Sequence, residues 1–197
     1  MRAKLFALLL IGCSPCAAQS WEIRYSAGVS LNVPASGEEF SFEFPRAPGS
    51  AHYITRPATP AGSAVVATFT VMTGGSPVFD YRTAPNNTCD SPATVRLFLQ
   101  RRGDNLSGAG DYEFYRWWSK QGVVLKEGAF TLDVPLQPSL WTSVFGISGE
   151  SNPRAFAAAL ADLSSVGVTF GGGCFYGHGV RVLNGRATFT MKRFEIR

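Results

Sequence analysis

Histidine is nearly absent. The 197 residues include only His52 and His178, which excludes the paired-histidine spacing that zinc sites use. No aspartate-rich loop of calcium-binding pattern occurs, so a structural calcium ion would have to be held by scattered groups such as Glu38, Glu39 and Asp104, and no other cofactor is expected. A Gly-x-Ser-x-Gly elbow, which would expose a hydrolase serine, is also missing. Charge is sparse, at 16% of residues, and the basic side chains are scattered, so no stripe of cations is available to follow a phosphate backbone. Nucleic acid is therefore not an expected partner. Apolar runs stay well short of the roughly 20 residues that a transmembrane helix needs.

What is present at the start is an export leader. Arg2 and Lys4 precede an apolar run from Leu5 to Ile11, and small residues follow before Gln19. That layout predicts a signal peptide over 1–18, cut after Ala18, with 19–197 as a single domain that is secreted or periplasmic. A second reading competes: Leu10-Ile11-Gly12-Cys13 fits a lipobox, which would leave the protein lipid-anchored through Cys13. Without Arg2 and Lys4, 16 lysines and arginines face 14 acids, and the formal charge falls from +4 to +2. Cys89 and Cys174 remain after removal of the leader. In an oxidising compartment they are read as one disulfide, with two free thiols as the alternative.

Period-two alternation dominates the rest. Phe40, Phe42 and Phe44 are separated by Ser41 and Glu43, and Phe130, Leu132 and Val134 by Thr131 and Asp133. The same pattern runs through Ala187, Phe189 and Met191 and then slips to Phe194 and Ile196, which predicts a β-bulge at Lys192-Arg193. Strands are predicted near 21–26, 40–45, 51–56, 64–73, 94–102, 111–119, 123–126, 129–135, 141–146, 165–171 and 186–196. Asn184-Gly185 carries a type I′ hairpin signal that would pair 179–183 with 186–192. One helix, about 153–163, is expected from Asn152 as cap, Pro153 at the first position, and Phe156, Leu160 and Leu163 on one face. The sum is an all-β chain: a jelly-roll sandwich of two antiparallel sheets with one late helix.

Two stretches carry candidate chemistry. Read as a strand, DYEFYRWWSK (111–120) sends Glu113, Tyr115 and Trp117 to one side and Phe114, Arg116 and Trp118 to the other. If Phe114 and Trp118 are inside, Tyr115 and Trp117 form an exposed stacking platform for sugar rings, with Arg101, Arg102, Asp104 and Glu113 placed to orient hydroxyls. Burial of the strand on both faces is the competing reading, and ion pairing among these arginines and acids is an ordinary surface alternative. The second stretch, TFGGGCFYGHGVRV (169–182), places Cys174 four residues from His178. A disulfide removes Cys174 as a nucleophile, leaving Tyr176 and His178 as a second candidate rim on a glycine-rich bend. Glycoside hydrolysis through Glu113 with Asp111 or Asp133 is a lesser possibility, since two suitably spaced acids suffice for it; no residue is assigned a catalytic role.

The succession VRLFLQRRGD, YEFYRWWS, FTLDVPLQPSLWTSVFG, an alanine-rich helix, VGVTFGGGCFYGHGVRV and ATFTMKRFEI, spanning Val95 to Ile196, resembles secreted bacterial proteins of uncharacterised function that carry a galactose-binding-like jelly roll. Many carbohydrate-binding modules share that fold, so the resemblance implies a glycan-facing role. The expectation is thus an exported, non-catalytic carbohydrate-binding sandwich. An envelope or extracellular protein-interaction protein is the alternative, and a glycosidase or polysaccharide lyase the lesser one.

Overall fold

A computed structural model describes residues 21–25, 30–33, 39–46, 48–58, 62–81, 91–174 and 176–197. The expected leader over 1–18 with Cys13, and also Glu38 and Cys89, lie outside these residues.

Alternating apolar side chains build strands that share one interior. In chain order they are β1 (Trp21–Tyr25), β2 (Ser30–Val33), β3 (Phe40–Glu43), β4 (Ala51–Pro57), β5 (Ala64–Gly74), β6 (Val78–Tyr81) and β7 (Ala93–Arg101). After a short 3-10 turn, Gly110–Phe114, come β8 (Arg116–Val124), β9 (Gly128–Pro135) and β10 (Trp141–Thr142). Helix α1 (Pro153–Ala161) precedes β11 (Leu163–Gly172), β12 (Val180–Leu183) and β13 (Arg186–Ile196). The larger sheet runs β10-β8-β7-β11-β4-β1-β2, with β12 joined to β4 and β6 beyond it; the smaller runs β3-β13-β5-β9. Every ladder is antiparallel, so the described residues form an all-β sandwich with one α-helix.

Aromatic rings hold the two sheets together. Phe189 of β13 stacks on Phe69 of β5 at 5.0 Å and meets Phe170 of β11, in the opposite sheet, edge-on at 5.4 Å. Phe44 closes on Phe170 at 5.0 Å, and Trp21 of β1 meets Phe40 at 4.9 Å and Phe194 at 5.2 Å. Such offset and edge-on pairs add to the burial of large apolar area. The register of β13 against β5 shifts between Met191 and Arg193, which is the predicted bulge, and it returns Phe194 to the interior.

Three of the strand expectations fail in the structure. Residues 179–183 do not pair with 186–192. Asn184 and Gly185 take the positive φ of a tight reversal, 58° and 83°, but the turn carries the chain from one sheet to the other: β12 pairs with β6 and β4, and β13 with β3 and β5. A local turn signal sets where the chain reverses, not which ladder each arm joins. The predicted strand 111–119 is a 3-10 turn up to Phe114, and the strand begins at Arg116 and runs on through 123–124. The predicted strand 141–146 keeps only Trp141 and Thr142 before a tight loop.

The helix starts at Pro153 as expected, but the Asn152 side chain makes no capping hydrogen bond, and Leu163 already belongs to β11. Phe156 is buried edge-on to Trp117 at 5.1 Å and tilted against Trp141 at 6.3 Å, so α1 covers the part of the core flanked by β8 and β10. No helix among the described residues is long and apolar enough to cross a membrane. Because Phe189 touches rings from both sheets, Phe189→Ala is expected to lower unfolding stability by about 3–5 kcal/mol in urea titrations. The exposed Met72→Ala should stay within about 0.5 kcal/mol of the parent.

Candidate functional site

Trp117 does not belong to an exposed platform. It is fully buried, its Nε1 donates to the Phe114 carbonyl at 2.9 Å, and its ring lies between Phe114 and Phe156. The alternation that placed Tyr115 beside it requires extended backbone through both residues. Tyr115 has helical angles instead, φ −86° and ψ −16°, so the parity is lost at the 3-10 turn. Tyr115 sits half-buried away from Trp117, with the Arg101 guanidinium 4.7 Å from its ring centre and Tyr112 beside it at 4.9 Å.

The neighbouring charges are also committed elsewhere. Arg102 donates to Asp162 at 3.2 Å and Arg101 lies 3.8 Å from the same carboxylate, a half-exposed ion-pair cluster between the end of β7 and the end of α1. Glu113 accepts from the buried Ser143 hydroxyl at 3.1 Å. Asp104 is the clearest departure. Its side chain is 1% exposed, pairs with Arg116 at 3.1 Å, and accepts from Gln100 at 2.8 Å and from the Leu106 amide at 3.0 Å. A carboxylate so enclosed organises the 102–110 loop and cannot orient a ligand hydroxyl. The structure therefore does not bring Arg101, Arg102, Asp104, Glu113, Tyr115 and Trp117 together as one site.

A different site forms on the outer face of the larger sheet. Leu97, Leu99 and Trp117 point into the core, whereas Arg96, Phe98 and Trp118, buried as they are, lie outside that core cluster on alternate positions. Tyr53 of β4 extends the outer row, 4.8 Å from Phe98, which is 5.6 Å from Trp118. Burial pushes the Tyr53 hydroxyl pKa up, against the opposing pull of Arg116, so it stays a neutral phenol.

The glycine-rich bend folds back over this row. At Gly177, φ +73°, a Cβ would lie 2.3 Å from the Tyr53 hydroxyl; at Gly179, φ +90°, it would meet His52 and Ser50 at 2.6 Å. Only glycine combines that dihedral with that approach. The His52 Nδ1 donates to the Gly177 carbonyl at 3.0 Å, and the Gly179 amide donates to Phe170 at 3.0 Å, which pins the bend to β4 and β11.

The pinned bend presents Tyr176. Its ring lies 4.1 Å from the Arg96 guanidinium and 6.4 Å from Trp118. Opposite stands the loop after β10, closed by the Ser143 amide on Ile147 at 2.8 Å and turned by Gly146 at φ +79°. Between them opens a cleft of about 460 Å³. Trp118, Tyr176, His178 and Cys174 line one part and Val144, Phe145 and Gly146 the other; Phe145 is 67% exposed. Desolvation lowers the His178 pKa below the ordinary histidine value, favouring the neutral imidazole, a hydrogen-bonding group without net charge. The Trp118 Nε1 is buried without an acceptor among the described residues.

Tyr176 and His178 thus do share a cleft, together with Cys174. The Cys174 sulfur lies 3.5 Å from the Ser91 hydroxyl, and its expected partner Cys89 falls outside the described residues. Sequence reading missed Trp118, Phe145 and Arg96. Phe145-Gly146 was the available signal, an aromatic residue ahead of a turn glycine, hidden by the apparent strand 141–146. Among the described residues no group of three His, Cys, Asp or Glu side chains gathers to hold a metal; Glu39 pairs with Lys192 and Asp104 with Arg116. Of the acids considered for hydrolysis, Glu113 is held by Ser143 and Asp133 by Arg197. No family model, curated protein or solved structure matches the chain.

Asp104→Asn should leave the Arg116 guanidinium buried without its counter-charge. A loss of about 3–5 kcal/mol is expected by chemical denaturation, and a change below about 1 kcal/mol would mean that the pair is not structural.

Proposed function

We propose that the protein is an exported, non-catalytic sandwich of jelly-roll type that binds a carbohydrate in the cleft between the glycine-rich bend and the 143–147 loop. The observation that carries this reading is the set of three aromatic side chains, Trp118, Phe145 and Tyr176, around one open cleft with a hydrogen-bonding imidazole. Its volume falls within the roughly 300–1,000 Å³ of small-ligand sites. Flat rings offer the C–H faces of a sugar a large contact at small entropic cost, and Phe145, being mostly exposed, gains most by being covered. The resemblance to galactose-binding-like proteins supports the same ligand class, and the leader over 1–18 supports work outside the cytoplasm, freely or through a lipid on Cys13.

A glycan array with the mature protein tests the reading. Phe145→Ala and Tyr176→Ala should each weaken the captured glycan roughly tenfold, and Phe145→Ala should do so with an unchanged melting temperature. A second reading, a protein-binding surface, draws on Phe145 and Ile147, 67% and 41% exposed on one loop. Absence of any glycan signal, together with a stoichiometric protein complex lost in Phe145→Ala, would replace the first reading by the second.

We also assign a Cys89–Cys174 disulfide to this reading, anchoring the bend that carries Tyr176. Intact mass of the exported protein should rise by about 2 Da on reduction. Two thiols that alkylate without reductant would remove the link.

A further inference from the structure

The cleft is electrostatically one-sided. None of the described residues that line it carries a carboxylate, while one cation, Arg96, stands against the Tyr176 ring and a second, Lys120, reaches the loop that carries Phe145. Arg96, 9% exposed, has its guanidinium against the Tyr176 ring and spends its hydrogen bonds on the Ser119 and Lys120 carbonyls, leaving Nε unpartnered. Lys120 donates to the Ser148 hydroxyl at 2.8 Å, one residue beyond Ile147 in the facing loop. Neither forms a salt bridge among the described residues, in contrast to Arg101, Arg102, Arg116, Arg181 and Arg193, which all do. Of the carboxylates near this loop, Glu113 is turned onto Ser143, and Glu150, whose amide donates to the Ser148 hydroxyl, forms no salt bridge among the described residues.

Burying a guanidinium costs least when an anion compensates it, and the field of an uncompensated one extends furthest through a low-dielectric wall. Here that wall is Tyr176 and Trp118. A neutral sugar leaves both cations as they are, whereas an acidic one supplies the missing charge.

We propose that the ligand of this cleft is an anionic glycan, bearing carboxylate or sulfate groups, selected over its neutral counterpart by Arg96 and Lys120. The inference rests on the carbohydrate reading of the cleft and adds the charge class of the sugar. Arg96 acts through the Tyr176 ring as a positioning and field-setting residue; Lys120, two residues after Trp118 and bonded to Ser148 next to the Phe145 loop, would be the group that meets the acid.

The test is calorimetric titration of the mature protein with oligogalacturonate, oligoglucuronate and oligomannuronate, each against its methyl ester, and with a sulfated galactan against its desulfated form. Carboxylate and sulfate arms separate the two sources of charge. The acid forms should bind at least about tenfold more tightly than their neutral partners and lose affinity as salt rises from about 50 to 500 mM. Lys120→Gln should reduce that preference severalfold. Arg96→Lys keeps the charge but not the planar stack, and should retain acid preference while weakening Tyr176-dependent binding. Equal affinity for acid and neutral forms, or a preference that Lys120→Gln leaves intact, overturns the charge inference and leaves the carbohydrate reading standing. Failure of every acidic and neutral glycan overturns both.

Discussion

Two arginines on the outer face of the larger sheet set the constraint on which much of the remaining architecture depends. Arg96 and Arg116 lie on adjacent strands, 9% and 6% exposed, and a buried guanidinium must find acceptors for its fork of N–H groups. Arg116 draws in the 102–110 loop through Asp104 and the Ser107 carbonyl. Arg96 takes the Ser119 and Lys120 carbonyls where the β7–β8 register shifts, and receives Tyr176 on its face. Each arginine thus recruits one loop, and the two loops cover a row of rings, Tyr53, Phe98 and Trp118, that an ordinary half-exposed sheet would leave in water.

The cleft follows from this covering. Glycines at 177 and 179 let the bend lie flat on Tyr53 and His52, so Tyr176 is delivered to Arg96 and Trp118, while Phe145 approaches from the loop after β10. The rigid part is the wall, fixed by backbone hydrogen bonds and a cation–π contact. The exposed part is Phe145. That division suits the proposed recognition, because preorganised rings lose little entropy on contact and an exposed ring has area still to bury.

Much of the fold was legible because alternation is a local property. Phe40 to Phe44, Val65 to Val71 and Ala187 to Met191 announce strands, and the slip to Phe194 announced its bulge, since burying one face demands a period of two wherever the chain is extended. The candidate site was legible only in its glycine-rich half. Tyr176 and His178 were visible as what a tight bend would display. Trp117 was misplaced because one helical residue, Tyr115, breaks the parity that assigned its face, and both faces of β8 are buried, Trp117 inward at 0% and Trp118 outward at 3%.

The sequence by itself determined most of the extended segments, where the late helix begins, and where glycine permits reversal, for these depend on side-chain period, on proline and on positive φ within a few residues. Only the tertiary structure decided that Asn184-Gly185 joins two sheets rather than two paired strands, that Asp104 serves Arg116, and that Trp118 and Phe145 meet at Tyr176. Those outcomes depend on which residues, distant in the chain, must share one dry volume or neutralise one buried charge, and no local pattern encodes the partner.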